Sequence, residues 1–304
     1  MRGVWAEMDN PIRGPYNGSA ILGSRPGCSR SPHLILDDRT RQMPPDVADF
    51  RQPICFLHID KCAGTTVFTN LGRVVPKLYE IHQAQPSAES PPAHPTFTFI
   101  RNPIARFVSA YNFARWIVEF DATGLDPATL TLSNCPAPQR LRRKLLANGP
   151  AYEAVYDALI LAFADANQLG ESLDSSDDTL REKARALMSH PQGPLARGMG
   201  WYLRDGSFIE RFRDWIFFVG RVERLGDDLR TLRRKLGLSD QEPFKVGHLR
   251  ENTAGFSPFL SERAVRNVRA WYRDTDYAAL RSLLSHGLID GKTFEAYQTY
   301  DFGG

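Results

Sequence analysis

Cysteine is scarce, long apolar runs are missing, and neither sign of charge dominates. The four cysteines, Cys28, Cys55, Cys62 and Cys135, form no CxxC pair and no zinc-like spacing. A chain of 304 residues can bury a core without covalent staples. They therefore read as free thiols in a reducing compartment, and no metal centre is expected. No stretch of about 18 apolar residues occurs, and no signal-type apolar core opens the chain. The expectation is a protein without a transmembrane segment, located in the cytoplasm, with the Golgi lumen as the alternative if an anchor has been lost. With 38 Lys+Arg against 35 Asp+Glu the formal charge is only +3. That is too weak a global field to argue for nucleic acid as a partner, so any anion site must be local. The GxxxxGK[ST] loop of nucleoside-triphosphate enzymes is not found, and no internal repeat is visible.

What is present is an ordinary globular composition, 42% hydrophobic and 24% charged. Residues 1–50 are rich in Gly, Pro, Ser, Arg and Asp without periodicity and read as a partly flexible N-terminal arm. Residues 51–304 read as the folded domain. Within it, Ile54 to Ile59 is a short apolar run, Lys61 to Thr66 a small-residue loop, and Thr66 to Arg73 a helix carrying Val67, Phe68 and Leu71. A second strand fits Leu78 to His82 and a third Thr96 to Ile100. Asn102 followed by Pro103 is an N-cap with proline at the first helical position, and Ile104, Phe107, Val108 and Tyr111 form the apolar stripe of the next helix. The stretch 151–188 reads as helical with an acidic break at 174–178, either scaffold or a cover on the acceptor side. Trp215 to Val219 is a further buried strand, followed by a charged helix over 225–236 and a helix pair over 261–285. Strands alternating with helices predict an α/β fold with a parallel sheet, ligands binding at the carboxyl ends of the strands.

Two strand-to-helix turns carry the chemistry. The first, His58-Ile59-Asp60-Lys61-Cys62-Ala63-Gly64-Thr65-Thr66, combines a lysine, a glycine and two hydroxyls with a helix start, where backbone N–H groups and the helix dipole favour an anion. The second runs from Phe99 through Arg101, Asn102 and Pro103 to Ser109, Tyr111 and Asn112. Helical spacing places Asn102, Ala105 or Arg106, and Ser109 on one face, so Arg101 and Ser109 can serve one anion together. Sulfuryl or phosphoryl transfer needs such fixed donors, and a base near the acceptor hydroxyl.

Both turns resemble the two nucleotide-binding elements of the sulfotransferases that use 3'-phosphoadenosine 5'-phosphosulfate (PAPS), nearest the carbohydrate group that includes the heparan sulfate 2-O-sulfotransferases and bacterial relatives. The likeness is strong over 54–113 and weak over 218–223 and 249–277. It implies a three-layer, P-loop-like sulfotransferase fold with helices on both sheet faces, and transfer of a sulfuryl group from PAPS to a hydroxyl, expected on a saccharide or glycan. It further implies that Lys61, Cys62, Ala63, Gly64, Thr65 and Thr66 hold the 5'-phosphosulfate and Arg101 with Ser109 the 3'-phosphate. Arg250, Asn252 and Thr253 would close over the adenosine or the 3'-phosphate, and Lys61 would also serve the leaving group. His82, at the end of the second strand, is the first choice of base and Glu80, on the same strand face, the second. His58 reads as a supporting histidine, His94 as exposed, and Glu223 as structural. Asp60 departs from the family's usual proline or glycine and could orient Lys61 or the acceptor. Cys62 could be a low-pKa thiol. The basic run Arg140, Arg142, Arg143 and Lys144 reads as a solvated helix face rather than a glycan site. Two other readings remain: a nucleotide-dependent kinase or phosphotransferase, and an idle nucleotide- or glycan-binding protein on the same scaffold.

Overall fold

The computed structural model describes residues 51–121, 150–191, 193–238 and 257–300. The arm over 1–50, the basic run from Arg140 to Lys144, and Arg250, Asn252 and Thr253 lie outside the described residues.

The apolar runs found in the sequence become four strands: β1 (Ile54–His58), β2 (Leu78–His82), β3 (Thr96–Ile100) and β4 (Ile216–Arg221). All pair in parallel, in the order β2-β1-β3-β4. Every residue of β3 and all but the last of β1 are buried, so the centre of the sheet is covered on both faces and needs continuous rather than alternating apolar sequence. β4, at one edge, alternates buried and half-buried positions. Gly220 is required there because it faces Phe99 across the ladder, and a Cβ on it would lie 2.3 Å from the Phe99 ring.

The helices are α1 (Gly64–Leu71), α2 (Pro103–Asp121), α3 (Pro150–Leu161), α4 (Ala166–Ser172), α5 (Asp178–Met188), α6 (Met199–Leu203), α7 (Ser207–Phe212), α8 (Leu225–Lys235), α9 (Glu262–Tyr272), α10 (Asp276–Ser285) and α11 (Gly291–Gln298). α1 starts earlier than the apolar spacing implies, because Ala63 adopts a left-handed conformation and turns the chain into the helix at Gly64. The acidic break becomes the gap between α4 and α5, with Asp177 capping α5 through Leu180 N–H. Helices α6, α7 and α11 were not foreseen; α6 and α7 are each under two turns long, too short for an apolar period to stand out.

The second turn is anchored from its helix side. Asn102 caps α2, its Oδ1 accepting from Ile104 N–H at 2.9 Å, while its own N–H donates to Glu223 at 2.8 Å. Glu223 also accepts from the Tyr297 hydroxyl, so it is a structural carboxylate tying β4, α2 and α11 together. Arg106, one turn into α2, points away from any solvent-facing anion. It is fully buried, donates to Asp276 at 3.2 Å and to the Pro194 carbonyl at 2.8 Å, and stacks on Tyr272. The helical face with Arg101 and Ser109 is thus completed by Ala105, not Arg106. The α3–α5 region serves as scaffold at its start, where Tyr111 and Arg115 of α2 both donate to the Phe163 carbonyl, at 2.6 and 2.7 Å. Among the described residues no helix is long and apolar enough to cross a membrane.

Candidate functional site

From β1 the chain moves to β2 on one side, and β3 then lies on the other side of β1. The carboxyl ends of β1 and β3 therefore flank the point where strand order reverses, the position at which open parallel sheets bind ligands. Both turns singled out in the sequence end there. Arg101, directly after β3, donates through Nη1 to the Lys61 carbonyl at 3.4 Å, so the two loops are in contact.

The first loop is wound tightly. Lys61 and Ala63 both have positive φ, 68° and 61°, and Cys62 N–H closes on the Ile59 carbonyl at 3.1 Å. No side chain caps α1, so the first-turn amides of Gly64, Thr65 and Thr66 have neither an intrahelical acceptor nor a capping one. An anion is the natural complement of such an end. Thr65 is exposed and Thr66 buried. Lys61 Nζ lies 3.7 Å above the centre of the Phe113 ring on α2. Arg101, Ala105, Ser109 and Phe113 are all half-buried at four-residue spacing, which makes one accessible stripe along α2 with Arg101 at one end and Lys61 at the other.

Cys62 does not fit the reactive role considered for it. Its side chain is buried, and desolvation pushes the thiol up to about 12 against the pull of Arg106 and Arg101. Cys62 can contribute only its backbone to an anion.

Gly64 also has a role the sequence did not show. The space above it is filled by the His58 imidazole, and a Cβ there would stand 1.6 Å from His58 Nε2. Glycine at this point makes room for a histidine.

Beside the Lys61 loop lies a cluster of four titratable side chains. Parallel register sets Phe56 beside Glu80 and His58 beside His82. The two-residue period puts all of them on one sheet face, and Asp60 follows just past the strand end. His58 Nδ1 is 2.6 Å from Glu80 Oε1, and His82 Nε2 is 2.9 Å from Asp60 Oδ1. The two imidazoles stack at 4.0 Å between centres, extending a row of rings formed by Phe97, Phe56 and His58. Asp60 Oδ2 lies 3.9 Å from Arg197 Nε, just before α6, and Arg197 in turn lies over Trp201. Asp60 thus turns to His82 and Arg197. Arg197 was not anticipated: it lies more than a hundred residues downstream and carries no local motif.

The electrostatics follow from this pairing. Burial alone would raise the Asp60 carboxyl, but the His82 hydrogen bond and the Arg197 charge hold it below the ordinary carboxylate range. Burial likewise works to raise Glu80, and the His58 hydrogen bond and both imidazoles outweigh it. Desolvation lowers His58 despite Glu80. Both carboxylates are therefore ionised and His58 is neutral near pH 7. His94, expected to be exposed, is half-buried and stacks on Tyr79 at 4.7 Å. His58, Glu80 and His82 have ligand-type atoms within 4.8 Å of one another, but His58 Nδ1 and His82 Nε2 already bond the carboxylates of Glu80 and Asp60.

No protein-family model, no curated protein and no solved structure matches this chain.

Proposed function

We propose that the protein is a sulfotransferase that moves a sulfuryl group from PAPS to a hydroxyl acceptor, with a saccharide or glycan as the expected acceptor class. The observation that carries this reading is the contact between the Lys61 loop and Arg101 at the strand-order reversal. It sets an uncapped helix start beside an arginine, with Lys61 carried on the same loop. The donor supplies an activated sulfuryl group whose S–O bond to phosphate breaks as the acceptor oxygen bonds to sulfur. In this reading the amides of Gly64, Thr65 and Thr66 and the Lys61 ammonium hold the 5'-phosphosulfate and meet the charge that develops on the leaving oxygen. Arg101 and Ser109 hold the 3'-phosphate.

Access does not separate Glu80 from His82, since each keeps about a third of its side chain accessible; basicity does, because Glu80 is held below the ordinary carboxylate range and an imidazole is the stronger base. Glu80 is engaged by His58, and His58 Nε2 is enclosed over Gly64, which leaves no space for an acceptor. His82 bonds Asp60 through Nε2, its one hydrogen bond among the described residues, and keeps about a third of its side chain accessible. His82 is therefore assigned the acceptor proton. The spacing of the loop, with lysine ahead of glycine, favours this reading over a nucleotide kinase.

The test is a thermal-shift titration with adenosine 3',5'-bisphosphate, beside ATP with magnesium, on the wild type and Arg101→Ala. A ligand at 100 times its dissociation constant stabilises the fold by roughly 2.7 kcal/mol. A shift with the bisphosphate that Arg101→Ala loses supports the proposal. A larger shift with Mg-ATP would move the kinase reading to the front, and no shift with either would favour an idle scaffold.

A further inference from the structure

We infer that Asp60 is a positioning residue for His82, and that His82 takes the acceptor proton on Nδ1. The inference rests on the sulfotransferase reading for the reaction, but the arrangement itself is drawn from the two His–carboxylate pairs at the ends of β1 and β2.

An ionised carboxylate has lone pairs and no proton, so a 2.9 Å contact with an imidazole nitrogen is a hydrogen bond only if that nitrogen carries hydrogen. Asp60, with Arg197 at its other oxygen, is the ionised partner. His82 must then hold its proton on Nε2, which leaves the lone pair of the neutral ring on Nδ1. No hydrogen bond engages Nδ1 among the described residues. The titratable and charged groups around His82 are Asp60, Glu80, the neutral His58 and, behind Asp60, Arg197. His58 stacks on the ring and restricts its rotation from one side while Asp60 fixes its edge. When Nδ1 accepts the hydroxyl proton, the imidazolium is met by a carboxylate already in contact with it, and the proton leaves to solvent after turnover.

Asp60 also lies one residue before Lys61. A single loop would therefore set the donor-side cation and the acceptor-side base in a fixed relation. This explains why a carboxylate, which would otherwise repel an anionic donor, is tolerated here: both its oxygens face cations or N–H donors.

The test uses the full chain labelled with 15N-histidine, His82 being assigned by comparison with His82→Gln. Long-range 1H–15N correlations above the imidazole titration report which nitrogen is protonated. The expected result is a single tautomer of His82 with hydrogen on Nε2 in the wild type and a mixture in Asp60→Ala. Hydrogen on Nδ1, or a mixture in the wild type, overturns the assignment. In parallel, hydrolysis of PAPS is followed as sulfate release, water standing in for the acceptor. Asp60→Ala should lower kcat by about 10²–10⁴-fold, with KM for PAPS unchanged and partial recovery in Asp60→Glu. Unchanged kcat in a folded Asp60→Ala overturns the positioning role. If the wild type binds no bisphosphate, the sulfotransferase reading fails, and the tautomer measurement still decides whether the Asp60–His82 pair exists as described.

Discussion

The His58 ring occupies the place where a side chain on residue 64 would be: a Cβ built on Gly64 falls 1.6 Å from His58 Nε2. Gly64→Ala must displace the imidazole and break its 2.6 Å contact with Glu80. Overpacking of this kind costs about 1–3 kcal/mol. The same substitution in a His58→Ala background should cost much less, and a double-mutant cycle by urea denaturation measures the difference.

The two arginines of the second turn should separate cleanly. Arg106→Met leaves Asp276 buried without its cation and is expected to destabilise the fold by about 3–5 kcal/mol. Arg101→Ala removes a half-buried group whose hydrogen bond to the Lys61 carbonyl is long, and should leave the urea midpoint close to wild type while abolishing stabilisation by adenosine 3',5'-bisphosphate. Midpoints and ligand shifts measured on both variants check this.

Lys61→Met keeps the stem over Phe113 but removes the charge. Sulfuryl transfer should fall by about 10²–10³-fold, as expected for a fixed donor lost at a developing charge. Ser109→Ala removes one neutral hydrogen-bond donor, and bisphosphate affinity should weaken by only about 2- to 10-fold. Single-turnover kinetics and calorimetric titration measure these.

Acid should destabilise the protein in two stages. His58 titrates below its ordinary 6.5 in the folded state, so the unfolded chain binds the proton first and stability falls as pH drops beneath 6.5. Asp60 and Glu80 lie below their ordinary 3.8 and 4.5, so their contribution is present above those values and lost as pH falls through the lower folded ones. Urea midpoints between pH 7.5 and 3 should show both limbs. His58→Gln should flatten the upper one, leaving the part due to His94 and His190, which desolvation shifts the same way.

Cys62 should resist alkylation in the native protein at pH 8, since its buried thiol is pushed up to about 12. Mass spectrometry after iodoacetamide treatment, with and without urea, should find Cys62 modified only when unfolded. Modification at native rates would show that the loop opens.

The strands, the two strand-to-helix turns and the Asn102 cap were legible in the sequence because each is local. Runs such as Ile54 to Ile59 declare a buried strand, and a small-residue stretch with a glycine before apolar residues at helical spacing declares a turn into a helix. Strand periodicity alone was enough to put Glu80 and His82 on one face. The tertiary structure decided what those residues meet. Parallel register set His58 against His82 and gave each its own carboxylate, which separates an enclosed histidine from an accessible one. Packing of α2 against α9, with Asp276 following at the start of α10, turned Arg106 into a buried clamp although it stands five residues from Arg101 in the same motif. Arg197 reached Asp60 across a gap in sequence that no periodic pattern spans. Local preferences determine which elements form; partners distant in the chain are chosen by packing and desolvation, which act only once the sheet is assembled.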